Sequence, residues 1–250
     1  MKTQLTKHFS PEPFMYKDFQ DALKCLKSAL TQGHTYALLL GESGTGKTSL
    51  LRILQTKLDK RKFIVLYLSH GQPSPSGLVR LLAETLHLPV RRTRAETSRL
   101  LIQTLRNLPT RLLFWIDEAQ NIQDDTLHEI RLLSEAELEG TPLFSVVFSA
   151  LPSLKDRLLA PHLFPLWRRI TPRVRLTGLL REEVTPFLIH VLSKESVGHF
   201  SQESLSAIFE QARGIPALVE SFAVECLRIH PTGDLTADKV SEALDNLESD

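Results

Sequence analysis

The 250-residue chain carries only two cysteines, Cys25 and Cys226, far apart and set in helix-like apolar patterns. That spacing supports neither a disulfide framework nor a metal pair, and it predicts two buried thiols. The nine histidines are scattered, with no H-E-x-x-H and no Cys/His ligand spacing, so no zinc site is expected. There is no G-x-S-x-G elbow or other nucleophile motif. No apolar run approaches the ~18 residues that mark a membrane helix. The opening MKTQLTKHFSPEPF also lacks the apolar stretch of a signal peptide. The expectation is therefore a cytoplasmic protein without membrane contact. Charge of one sign is lacking too: 30 Lys and Arg against 29 Asp and Glu leave a formal +1. No global basic field advertises nucleic acid, so any such binding must come from a local patch. Internal repeats and low-complexity segments are absent.

What is present is ordinary in bulk. Hydrophobic residues make up 42% and charged residues 24%, enough for one large domain or a medium domain plus a small one. The informative stretch is Leu38–Leu50, LLLGESGTGKTSL, an apolar strand, a glycine-rich turn and a helix start. Gly41-Glu42-Ser43-Gly44-Thr45-Gly46-Lys47-Thr48 fits the P-loop pattern in full, and Ser49 continues it into the helix. Glycines let successive N–H groups converge on a phosphate, and the helix adds its positive end. Lys47 can reach the β- and γ-phosphates of a bound nucleotide, and Thr48 can place its hydroxyl on Mg²⁺.

Apolar strand-length runs recur at Tyr36–Leu40, Phe63–Leu68, Arg111–Ile116 and Phe144–Phe148, and a short fifth strand is expected over Val174–Leu176. Nearly continuous apolar strands separated by helical patterns predict a parallel α/β sheet. Helices are expected over 18–30, 48–58, 78–86, 98–108, 125–138, 151–159 and 163–170. His70–Gly77 reads as a loop full of breakers, and Pro89–Arg94 is the most basic short stretch. An irregular arm at residues 1–17 packs Phe9 and Phe14. Beyond Thr177 only helices are expected, over 181–193, 201–211, 216–230 and 236–247. We therefore divide the chain into an α/β nucleotide-binding base at 1–177 and a helical lid at 178–250.

The third strand runs into Asp117-Glu118, the Walker B arrangement. Asp117 would hold Mg²⁺ directly or through water, and Glu118 would orient or deprotonate the attacking water. Ser149 follows the fourth strand, where a polar group can contact the γ-phosphate or the water; ordinary turn chemistry also suits it. Arg169, or its neighbour Arg168, is a candidate arginine finger, because a guanidinium is permanently charged and grips phosphate oxygens in pairs. The alternative is a solvated basic helix end. Arg91, Arg92 and Arg94 suit a phosphate backbone or plain solvent; nothing there reads bases, so any DNA contact should be sequence-tolerant.

In this order the motifs resemble an AAA+ ATPase. GESGTGKTSLLR (41–52), IDEAQN (116–121) followed by LHEIRLLSEAE (127–137), LWRRI (166–170), ARGIPALVESFA (212–223) and the HFS-PEPF arm resemble its ExeA-like branch. The resemblance implies a P-loop AAA+ fold with a five-stranded parallel sheet and a small all-helical lid. It implies ATP and Mg²⁺ as ligands, hydrolysis of ATP to ADP and phosphate, and a homo-oligomer in ring, helix or filament form. Some members of that branch are transposition ATPases of the Mu B and TniB-like type. They assemble on duplex DNA with ATP and stimulate a transposase. Others assist secretion and carry membrane and peptidoglycan-binding extensions, which this sequence does not show; that favours the transposition type. A small-molecule kinase is a third reading, disfavoured by Asp117-Glu118 and the helical segment. One departure stands out. Where relatives commonly show Arg after Gly-x-Pro, Gly214-Ile215-Pro216 is followed by Ala217. Slow or partner-stimulated hydrolysis is the expectation.

Overall fold

The strands set the centre of the fold. Leu, Val, Ile and Phe run through β1 (Tyr36–Gly41), β3 (Arg111–Ile116) and β4 (Phe144–Ala150) without polar alternation, so both faces can be covered. Both faces are buried along nearly the whole of all three. β2 (Phe63–Leu68) is only partly buried because it is an edge strand. The computed structural model describes residues 12–69, 72–136, 142–230 and 233–248. Its five-stranded sheet has the order β2-β3-β4-β1-β5, with β5 spanning Ile170–Leu176. The pairings are parallel, with Tyr36 opposite Val146, Leu112 opposite Phe144 and Phe63 opposite Arg111. This is the α/β fold expected. β5 begins four residues before the short strand anticipated at Val174. Its residues are mostly exposed or half-buried, as on a sheet edge, so no apolar run announces it.

Helix starts explain two further differences. α1 is Lys17–Thr31 and α2 is Lys47–Lys57. α3 (Pro75–Thr85) begins before the expected Leu78, because the Ser74 hydroxyl caps the Gly77 N–H and Pro75 occupies the first turn. α4 (Arg94–Arg106) begins at a full capping box, Thr93 with Glu96. The basic stretch thus ends inside a helix. α5 (Asp124–Ser134) is shorter than anticipated, and α6 (Ser153–Leu158) and α7 (Phe164–Arg169) are single short helices. Phe114, Trp115, Phe144 and Phe148 are fully buried and fill the core around the sheet.

By contacts the chain divides into two compact units. One comprises Ala22–Gly41 and Lys47–Arg175; the other comprises Met1–Asp21, Glu42–Gly46 and Leu176–Asp250. The second holds α8 (Val184–Val191), α9 (Lys194–Val197), α10 (Gln202–Ala212), α11 (Pro216–Ile229) and α12 (Ala237–Glu248). Ile208, Val219, Ala223, Cys226 and Val240 form its core. Phe14 packs edge-on against Phe187, ring centroids 5.6 Å apart. Residues 1–11, with Phe9 and most of the arm, lie outside the described residues. Both cysteines are free; Cys226 is buried as expected, whereas Cys25 is only half-buried. No helix among the described residues is long and apolar enough to cross a membrane.

Candidate nucleotide site

Parallel strands all end at one margin, and in open α/β sheets that margin is where ligands bind. Here β1 leads out through Gly41 into the glycine-rich loop, and β3 leads into Asp117. The loop is closed by Thr45, whose N–H and hydroxyl both donate to the Glu42 carbonyl, at 3.3 and 2.8 Å. Gly44 and Gly46 have φ of +83° and +88°, which side-chain-bearing residues rarely adopt. Such a curl aims consecutive N–H groups at one point. Tyr16 donates its hydroxyl to the Thr45 carbonyl at 2.6 Å. The Ala217 N–H donates to the Gly44 carbonyl at 3.3 Å, and a Cβ on Gly44 would meet the Ala217 Cβ at 2.7 Å. Ala217, the departure from the family pattern, therefore sits against the phosphate loop itself. Glu42 and Ser43 are exposed; Ser49 is half-buried in the first turn of α2.

On the sheet unit, Lys47 is buried and its Nζ donates to the Gly41 carbonyl at 2.9 Å. Asp117 is the hub. Its Oδ2 accepts from Thr48 Oγ1 at 2.7 Å and from the Tyr67 hydroxyl at 2.9 Å. Its Oδ1 accepts from Ser149 Oγ at 2.7 Å and from the Glu118 N–H at 3.1 Å. Burial alone would raise the Asp117 pKa, but the donors Thr48, Ser149, Tyr67 and the Glu118 amide outweigh it and hold the carboxyl below its ordinary 3.8. A lowered native pKa means that folding is favoured by the ionised form. That contribution is complete above the unfolded value, near 3.9, and is lost as the pH falls through the lower native value. The gap in urea midpoint between wild type and Asp117→Asn should therefore hold above about pH 4 and narrow as the pH falls below it; a gap that stays constant there would contradict the coupling. Tyr67 stays a donor throughout, since burial and the Asp117 carboxylate push its pKa up to about 12.

Lys47, Thr48, Asp117 and Ser149 thus stand together at the strand-end margin. Ser149 lies within β4, opposite Leu39, and spends its hydroxyl on Asp117. Glu118 follows in a left-handed conformation, φ +51°, with an exposed side chain. Tyr67 was not anticipated; its one signal is a hydroxyl near the end of an otherwise apolar strand. Hydroxyl and ionised carboxylate side by side offer the hard oxygens that Mg²⁺ takes, and the loop with Lys47 offers N–H groups and a cation to phosphates. The residues present fit a magnesium nucleotide.

Arg169 stands elsewhere. It closes α7 directly before β5, at the margin where the strands begin. Its Nε pairs with Glu135 Oε1 at 2.8 Å and its Nη1 donates to the Pro165 carbonyl at 3.1 Å. A strand of that length separates the two margins by about 20 Å. Arg91, Arg92 and Arg94 line a third place, a shallow concavity of about 250 Å³ with Arg80, Ser76 and Thr97. Arg80 is paired with Glu84 and Arg94 with Glu129, whereas no carboxylate among the described residues pairs with Arg91 or Arg92.

A family model described as an AAA domain matches residues 30–158. General secretion pathway protein A of Aeromonas hydrophila is 29% identical over 222 residues, which cover 84% of this chain and 40% of that protein. The chain thus spans less than half the length of that relative. Among solved structures, the Aeropyrum pernix ORC2 protein in its ADPNP-ADP complexes superposes with a TM-score of 0.62 at 15% identity, covering 96% of this chain and 70% of that one. The Aeropyrum pernix ORC1 protein in complex with DNA gives 0.57 at 17% identity, covering 94% and 66%. At such identities these two speak for the fold. With the family model over half its length, and with the phosphate loop and acidic strand end where that fold needs them, the chain belongs to the AAA domain family, the AAA+ ATPases.

Proposed function

We propose that this ATPase is an ATP-switched assembly factor that oligomerises on duplex DNA and recruits or stimulates a transposase. Lys47, Thr48 and the loop would hold the nucleotide with Mg²⁺, and Asp117 would share the metal. Bound Mg²⁺ would supply charge neutralisation at the phosphates. Glu118 would take the proton from water. Arg169, at the far margin of the sheet, is out of reach of its own Lys47 and suited to the nucleotide of a second copy. The observation that carries the DNA reading is the arginine concavity at the starts of α3 and α4. There Arg91 and Arg92 are unmatched by carboxylates among the described residues, and two helix N-termini add positive potential. The transposase rests on the resemblance to the Mu B and TniB-like proteins.

A salt series tests the DNA part. Each phosphate contact steepens the fall of log K with log salt by about 0.9. Arg91→Ala/Arg92→Ala/Arg94→Ala should therefore flatten the slope by roughly two to three, equally on unrelated sequences. An unchanged slope, or no binding by wild type at low salt, removes DNA from the function. The similarity to general secretion pathway protein A favours a second reading, an ATPase serving secretion with protein partners alone. Absence of DNA binding together with ATP-dependent assembly would select it.

A further inference from the structure

Two bonds tie the end of β4 to the acidic end of β3. One is direct, Ser149 to Asp117. The other passes through Gln120. Its amide oxygen accepts from the Leu151 N–H at 3.1 Å, and its amide nitrogen donates to Glu118 Oε2 at 2.5 Å. The first bond fixes the second: an amide that turns its oxygen to a main-chain N–H must turn its nitrogen the other way. The main chain under Gln120 is held as well. Arg157 donates Nη1 to the Gln120 carbonyl at 2.7 Å and Nε to Asp124 Oδ1 at 2.7 Å, and its Nη2 bonds the Ile122 carbonyl. Gln120 is thus a clamped arm between the strand that carries Ser149 and the exposed carboxylate of Glu118.

We infer that Gln120 is a positioning residue that holds the Glu118 carboxylate in its working orientation and couples it to the end of β4. The inference rests on the reading of Glu118 as the proton acceptor. The physical reason is entropy. An exposed glutamate samples several rotamers, and fixing them costs conformational entropy. A donor already in place spares that cost at the moment of reaction. One oxygen, Oε2, is engaged by Gln120, and the second oxygen is the one that would face water.

Two replacements of Gln120 separate positioning from mere packing. Gln120→Met keeps the length and loses both bonds. Gln120→Glu keeps an acceptor for Leu151 but replaces the donor with a second negative charge. Both should lower single-turnover hydrolysis of ATP about tenfold or more, as befits loss of a hydrogen bond to a charged group. Affinity for a fluorescent ATP analogue should stay within about twofold, since Gln120 is not among the residues fitted to hold the nucleotide. A purely structural role predicts near-normal turnover for Gln120→Glu, and that result, or faster turnover, overturns the inference. Hydrogen exchange of the Leu151 amide gives a readout without nucleotide. Protection should fall in Gln120→Met and also in Glu118→Ala, because Gln120 loses its anchor. Wild-type protection in Glu118→Ala would show that no such coupling exists. Glu118→Gln in the same turnover assay keeps the two readings apart. If it hydrolyses at the wild-type rate, the assignment of Glu118 fails and the inference with it. If it is inactive while Gln120→Glu is not, only the role of Gln120 fails.

Discussion

Lys47→Ala should bind ATP at least about 100-fold more weakly than wild type and should no longer change its oligomeric state when ATP is added. Two charge-assisted bonds from an ammonium to phosphate oxygens are worth about 1.5–3 kcal/mol each. Their loss is enough to empty the site at ordinary nucleotide concentrations. The fold should survive. Lys47 is the first residue of α2, and the bond lost to the Gly41 carbonyl is worth about 1 kcal/mol. Calorimetric titration with ATP and a non-hydrolysable analogue, beside sedimentation velocity, checks both halves. A variant that still assembles only with ATP would take the P-loop out of the switch.

Arg169→Ala should behave in the opposite way. It should bind ATP within about twofold of wild type, yet turn over slower by about 10³, the lower end of what such an arginine supplies. The reason is placement. Arg169 ends α7 at the strand-start margin, and in the single chain its partner is Glu135. An arginine there can serve a nucleotide only across an interface. Mixing makes that testable. Lys47→Ala lacks the cradle and keeps Arg169, whereas Arg169→Ala keeps the cradle. An interface between the two variants can pair the intact cradle of Arg169→Ala with the intact arginine of Lys47→Ala, so the mixture should turn over faster than the two variants summed. Activity no greater than the sum of the two variants would mean that Arg169 does not act between subunits. Arg168→Ala, run beside it, should remain active.

Much of the site was legible because its constraints are local. A phosphate loop needs glycines at positive φ, and the spacing Gly-x-x-x-x-Gly-Lys-Thr states that in the sequence. Asp117 was legible because it interrupts an apolar strand at its end. The starts of α3 and α4 were also written locally, in Ser74-Pro75 and in Thr93 with Glu96, but the breaker residues hid the first and the arginines the second. What sequence could not supply depends on register between strands. Tyr67 faces Asp117 only because β2 pairs with β3 so that Leu68 stands opposite Ile116. Gln120 finds Leu151 only because β4 lies beside β3. β5 was underestimated for a different reason. Its first residues, Ile170 to Arg173, hold no apolar run, and an edge strand needs none to be held.

The hydrogen bonds converging on Asp117 have a mechanical meaning as well. Tyr67 comes from β2, Asp117 from the end of β3, Ser149 from β4 and Thr48 from α2. One carboxylate is the rivet through three adjacent strands and the helix beyond them. Pulling it out would strand the fully buried Ser149 hydroxyl and leave Thr48, Tyr67 and the Glu118 N–H in search of water. Each stranded buried donor costs about 1–3 kcal/mol. The residue suited to the cation is thus also a fastener of the sheet, so substitution there loosens the framework and the chemistry together. A search for inactive yet sturdy variants should look first to Glu118, whose side chain stands outside the rivet.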